Sequence, residues 1–146
     1  MANSIAWQLL FVDDDANICR QVQEYLEEEV IAGSDKRLCI ETLTDFDVAL
    51  DRLEAHRFDL LILDVRLGSH EKTPPEEAGI TTLDAIKKMQ QQNITILLVE
   101  HNMKILDLCE RVVVIDFGQK IAEGPPKEVR ENKEVIKAYF GGERVT

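Results

Sequence analysis

Residues 58–64 read FDLLILD, in which the apolar run Leu60 to Leu63 is closed by a carboxylate. A run of that length without polar alternation predicts a central parallel strand buried on both faces. The start of the chain repeats the pattern, since Trp7 to Val12 ends on Asp13, Asp14 and Asp15. Between the two runs, Ile18, Val22, Tyr25, Leu26 and Val30 recur near a helical period, Leu38 to Thr44 alternates like a strand, and Phe46, Leu50 and Leu53 mark a second helix. Further on, a polar loop from Ser69 to Gly79 leads to Leu83, Ile86 and Met89 on a third helix. Ile94 to Val99 predicts a fourth strand, Met103 to Cys109 a short helix and Val112 to Ile115 a fifth strand. Five βα units in register predict a doubly wound α/β fold, a five-stranded parallel sheet of order 2-1-3-4-5. Gly118, Gly124, Pro125 and Pro126 then predict an extra turn or hairpin, with Lys120 to Ala122 a short strand. A last helix runs through Val129, Val135, Ile136 and Tyr139 and stops at Gly141 and Gly142.

The chain has 146 residues, 45% hydrophobic and 31% charged, enough to bury one core. Its net charge of −11 argues against nucleic acid and anionic membranes as partners. Leu60 to Leu63 and Val112 to Ile115 fall far short of the ~20 apolar residues of a membrane span. The start of the chain lacks the basic flank of a secretory leader. Cys19, Cys39 and Cys109 form no short-spaced metal motif, which fits buried thiols in a reducing cytoplasm, with Cys19 and Cys39 as core fillers. Acids outnumber bases 19 to 9 through Gln92 but only 9 to 8 beyond it, so the chain changes character near that residue.

In an open parallel sheet, ligands gather outside the carboxyl ends of the strands. Asp13 and Asp14 close strand one and Asp64 closes strand three, neighbours in the predicted order. Three converging carboxylates repel one another unless a cation joins them, and hard oxygen donors around a hydrated ion suit Mg²⁺. An aspartate beside Mg²⁺ is also able to attack a phosphoryl donor. Helix capping is the plainer role for such acids, and Asp15 is assigned to it. For Asp64 the plainer role is a loop-leading acid that accepts backbone hydrogen bonds.

LLFVDDD at 9–15, LLILDVRLG at 60–68 and Gly79 before a helix resemble response-regulator receiver domains over about residues 7–92. The resemblance implies a flavodoxin-like, receiver-like fold with Asp13 and Asp14 as the acidic pair, Asp64 as phosphoacceptor and the Arg66 carbonyl completing the Mg²⁺ shell. This chain departs from the family in having Gly68, followed by the longer loop SHEKTPPEEA, where a proline is usual.

Residues 93–142, NITILLVEHNMKILDLCERVVVIDFGQKIAEGPPKEVRENKEVIKAYFGG, resemble instead the C-terminal end of the ATP-binding subunits of branched-chain amino-acid ABC transporters. His101 matches their switch histidine, which contacts the γ-phosphate, and Asp116 to Gly118 falls in the following hairpin. The chain has no G-x-x-x-x-G-K-[ST] loop and no ABC signature, which argues against ATP hydrolysis by this chain. LLILD also resembles a Walker B strand, although Val65 stands where the catalytic glutamate would be.

Taken together, these resemblances predict a chimera: one receiver-like domain over 1–146, with 1–92 receiver-derived and 93–146 supplying strands four and five and the C-terminal helix. Receivers place Ser or Thr after strand four and Lys after strand five, whereas Glu100, His101 and Asp116 stand near those places here. The expected function is a non-enzymatic, cytoplasmic phosphorelay module, with Mg²⁺-dependent phosphoryl acceptance on Asp64 weakened by those losses. Expected partners are a histidine kinase or small phosphodonor, a protein output partner and a second copy, without nucleic acid or membrane. A degenerate receiver that binds protein without phosphorylation is the alternative, and an ATP-binding fragment the third reading. For His101 the plainer role is a strand-end histidine bonded to backbone.

Overall fold

A computed structural model describes residues 6–27, 37–64, 84, 86–101 and 105–141. The chain forms two compact units, Met1–Glu100 and His101–Thr146. In the first, β1 (Trp7–Asp13) lies between β2 (Leu38–Leu43) and β3 (Leu60–Asp64), and β3 pairs with β4 (Thr95–Leu98). All three pairings are parallel. Leu9, Leu10, Phe11 and Val12 are consecutive and all buried, as an internal strand covered on both faces requires.

The two faces separate by residue parity. Leu10, Val12, Leu61 and Leu63 pack with Phe46, Ala49 and Leu53 of α2 (Phe46–Ala55) and with Ile86 and Met89 of the helical residues 86–90. Leu9 and Phe11, with the half-buried Leu60 and Ile62, gather on the opposite face around Cys19 and Val22 of α1 (Ala16–Leu26). Each helix starts on an aspartate just past a strand: the Asp15 carboxylate accepts the Asn17 N–H, as its assigned capping role requires, and the Asp45 carboxylate accepts the Val48 N–H. A bidentate pair, Arg52 Nε to Glu41 Oε1 at 2.6 Å and Nη2 to Oε2 at 2.9 Å, ties α2 to β2.

The α/β class holds, but the parallel sheet has four strands in the order 2-1-3-4 rather than five in the order 2-1-3-4-5. The predicted fifth strand, β5 (Val112–Asp116), pairs antiparallel with β6 (Gln119–Gly124). The reason lies in the two residues between them. Phe117 and Gly118 have φ of 45° and 75°, and a two-residue turn with both φ positive returns a strand directly onto itself. The chain therefore closes a hairpin, as the turn residues foretold, while β5 stays outside the parallel ladder.

In the second unit a 3₁₀ turn (Ile105–Leu108) precedes the hairpin, and two helices follow it. The single last helix of the sequence reading is α3 (Pro126–Glu131) and α4 (Lys133–Phe140), broken at Asn132. Asn132 adopts extended backbone and its side chain accepts the N–H groups of Glu134 and Val135, so it begins a new helix. Val112 and Val114 from one face of β5 form a small core with Val129 and Val135, joined by Leu106, Cys109, Ile121 and Ala122. Arg130 reaches Asp107 at 2.9 Å and fastens α3 to the 3₁₀ turn.

Candidate functional site

The carboxyl ends of β1 and β3 form the rim at which the sequence places its acids. Asp13 and Asp64 are register partners across these strands, so two of the three predicted carboxylates stand side by side at the backbone level. Asp13 is 2% exposed. Its Oδ1 accepts the Asp15 N–H at 2.8 Å, while Oδ2 is buried without a hydrogen-bond partner among the described residues. Asp14 is exposed, and Asp64 is half-buried. The ladder continues past β4 through the Val99 N–H to the Leu63 carbonyl at 2.9 Å, which sets Glu100 just beyond the same rim.

The arrangement is a pair more than a triad. No group of three His, Cys, Asp or Glu among the described residues stands close enough together to hold a metal ion. Arg66, expected to offer its carbonyl, lies outside the described residues, as does the loop from Ser69 to Gly79. His101 and Asp116 belong to the second unit, where His101 is exposed and Asp116 is the half-buried last residue of β5.

Below the rim, the Cys19 thiol donates toward the Asp13 carbonyl at 3.4 Å or the Leu43 carbonyl at 3.6 Å. Burial raises its pKa, the carbonyl contact with Asp13 opposes this, and the charges of Asp13 and Asp15 add to the rise. All three cysteines are free. Cys19 is a core filler as expected, whereas Cys39, on the edge strand β2, is exposed. Alkylation should therefore modify Cys39 first and Cys19 last, since a raised thiol pKa leaves less thiolate. Raising pH should speed the Cys19 reaction as its thiolate forms. Peptide mass mapping over a pH series checks this, and a Cys19 that reacts as fast as Cys39 at neutral pH would contradict it.

Comparison with known proteins redirects the functional reading. The family model for the branched-chain amino acid ATP-binding cassette transporter matches residues 119–145, which cover β6, α3 and α4. The chain is 41% identical over 69 residues to the high-affinity branched-chain amino acid transport ATP-binding protein BraF of Pseudomonas aeruginosa, covering 47% of this chain and 27% of that protein. It is 44% identical over 50 residues to the corresponding LivG protein of Escherichia coli K12, covering 34% and 20%. A longer match, 29% identical over 120 residues, joins 80% of this chain to 38% of the energy-coupling factor transporter ATP-binding protein EcfA1 of Bacillus licheniformis. The chain thus spans less than half the length of these relatives.

These findings correct four expectations. None of them points to a receiver domain, so the phosphorelay module with Asp64 as phosphoacceptor is withdrawn, along with its two-component vocabulary. The reading of a non-enzyme falls too, because the matched proteins are ATP-binding components of transporters. A histidine kinase, small phosphodonor or output protein is likewise not the partner these relatives indicate, and a chain with no tie to membranes is not what transport proteins suggest. What led the sequence reading astray is shared architecture: a strand ending in Asp at the rim of a parallel sheet serves either family. The C-terminal segment of this chain resembles the ATP-binding subunit of branched-chain amino-acid ABC transporters.

Proposed function

We propose that the chain works as part of an ATP-binding subunit in ABC transport of branched-chain amino acids. The carrying observation is that the matched segment, residues 119–145, takes in the second strand of the hairpin and both helices of one compact unit. A family resemblance that falls on a packed unit with its own buried core points to an inherited working part. In this reading His101 is the residue that meets the γ-phosphate.

The rim of the first unit, taken by itself, offers a place for Mg²⁺. Asp64 closes a strand resembling Walker B, and Asp13 beside it keeps a buried carboxylate oxygen without a partner among the described residues. Two hard oxygen donors fit an ion that retains most of its water. When bound there, Mg²⁺ supplies charge neutralisation for phosphate oxygens. The chain's own contribution is to hold two carboxylates in register and to exclude water from one of them. The 146 residues contain no phosphate loop, so the grip on the β- and γ-phosphates comes from another part of the assembled subunit. No helix among the described residues is long and apolar enough to cross a membrane.

The test is a graft. Residues 93–142 replace their counterpart in a BraF-type ATP-binding protein, and Mg²⁺-dependent ATP hydrolysis is measured. Retained hydrolysis is expected, with His101→Ala lowering it at least about 100-fold, the scale of losing one transition-state donor. A folded graft that hydrolyses no ATP with His101 intact overturns the reading.

A further inference from the structure

Two helical segments of the first unit leave a groove between them. α2 places Leu50, Leu53 and Glu54 on one face by their spacing of three and four residues, and the helical residues 86–90 bring Lys88 and Met89 to the same groove. Together with Gln92 they line a cavity of about 120 Å³. Its floor is apolar, since Leu53 is 6% exposed, Met89 4% and Leu50 half-buried. Its mouth is charged, with Lys88 Nζ 3.0 Å from Glu54 Oε1. Both charged side chains are more than half exposed, so their pairing adds little to stability. An apolar cavity of about 150 Å³ holds a benzene molecule, so this floor has room for a short aliphatic chain.

The charges at the mouth select the occupant. The Lys88 ammonium has three donors and the Glu54 carboxylate a second oxygen, and among the described residues neither side chain has a partner beyond the other. A ligand that meets both must carry a cation and an anion as close together as these two side chains hold theirs, beside a small apolar group. An α-amino acid has that layout, because its ammonium, carboxylate and side chain all hang on one carbon. With the ammonium toward Glu54 and the carboxylate toward Lys88, four charges alternate in sign around a closed ring. A fatty acid satisfies only Lys88, an aliphatic amine satisfies only Glu54, and a peptide holds its end charges too far apart. We propose that this groove binds a free α-amino acid with a short aliphatic side chain, leucine being a size that fills it, with Leu50, Leu53 and Met89 around the side chain. The site stands on the groove's own chemistry, so a failed graft of residues 93–142 and a failed titration are separate results.

Calorimetric titration of the full chain with leucine, without nucleotide, reads the site directly. Saturable binding is expected, with alanine at least about tenfold weaker because it leaves the floor unfilled. Two analogues separate the charges: 4-methylpentanoate lacks the ammonium and 3-methylbutylamine lacks the carboxylate. Each is expected to bind at least about tenfold more weakly than leucine. Glu54→Gln and Lys88→Gln each remove one charge at an exposed position, and each is expected to weaken leucine binding by a similar factor. Circular dichroism confirms that both variants are folded. No saturation by leucine in a folded chain, alanine or either analogue binding as tightly as leucine, or leucine binding indifferent to both substitutions would each overturn the proposal.

Discussion

Leu10→Ala is expected to lower the unfolding free energy of the parallel-sheet unit by about 3 kcal/mol. Leu10 is 0% exposed on the central strand β1, where it meets Leu61 and Leu63 of β3 and the underside of α2. Truncation removes the burial of three carbon atoms and leaves a hole bordered by backbone on both sides, because β1 is hydrogen-bonded to β2 and β3 and cannot shift inward. Urea unfolding followed by circular dichroism should show the midpoint falling with an unchanged slope. Tyr25→Ala provides the control, since Tyr25 on α1 is 82% exposed and its loss should cost no more than about 0.5 kcal/mol. Equal effects at the two positions would mean that β1 is not the centre of the sheet.

That centre was legible because burial on both faces leaves a direct trace. Within WQLLFVD and LLILD, the stretches LLFV and LLIL have no polar position, and such runs closed by carboxylates have few folded solutions. The position of β5 was not legible for the same reason. VVVID reads like another internal strand, yet half its side chains are exposed, and what governs its pairing is the backbone at Phe117 and Gly118. Phenylalanine rarely adopts positive φ, so only Gly118 announced the turn, and the expected hairpin was set after a fifth parallel strand and not built from that strand. Asn132 was a clearer signal that passed unread. A residue of strong capping preference followed by Lys-Glu-Val-Ile divides the last helix in two, whereas the apolar spacing of Val129, Val135 and Ile136 runs across the break as if it were absent.

The candidate site was legible in its residues and misleading in its meaning. Register confirms Asp13 beside Asp64, and burial singles out Asp13 over Asp14, a distinction that adjacent identical letters cannot carry. The chemistry did not follow from the carboxylates, because an acid at a strand end serves phosphoryl transfer to protein and nucleotide-bound Mg²⁺ alike. The discriminating information sat instead in the C-terminal unit, whose residues match transport proteins over long stretches. The bare face of β5 was also written in the sequence, as the alternation of buried Val112 and Val114 with exposed Val113 and Ile115. Four similar apolar letters conceal that alternation, since period two becomes visible only when polar residues occupy the outer positions.

Val135→Asp should have the largest effect on the C-terminal unit, a loss of about 4 kcal/mol or more. Val135 is 0% exposed near the start of α4 and packs in one buried cluster with Val112, Val114 and Val129. The remaining members of that cluster are apolar, so a carboxylate placed there meets no donor and must either stay buried with its charge or pull α4 away to reach water. A unit this small holds only a few kcal/mol in reserve, so the expected outcome is loss of the hairpin-and-helix structure, not a shifted midpoint. Hydrogen exchange checks it by region: amides of β5, β6 and α4 should lose protection, while those of β1 and β3, which draw on a separate cluster, keep theirs. Ile136→Asp is the matched control, one residue along the same helix but 41% exposed, where the new carboxylate reaches solvent and the cost should stay within about 1 kcal/mol. In the grafted ATP-binding protein the same pair should separate as sharply. Val135→Asp should abolish hydrolysis through loss of the folded tail, and Ile136→Asp should leave it nearly intact. If both substitutions were equally tolerated there, the matched segment would be a passenger in the subunit and not a folded working part of it.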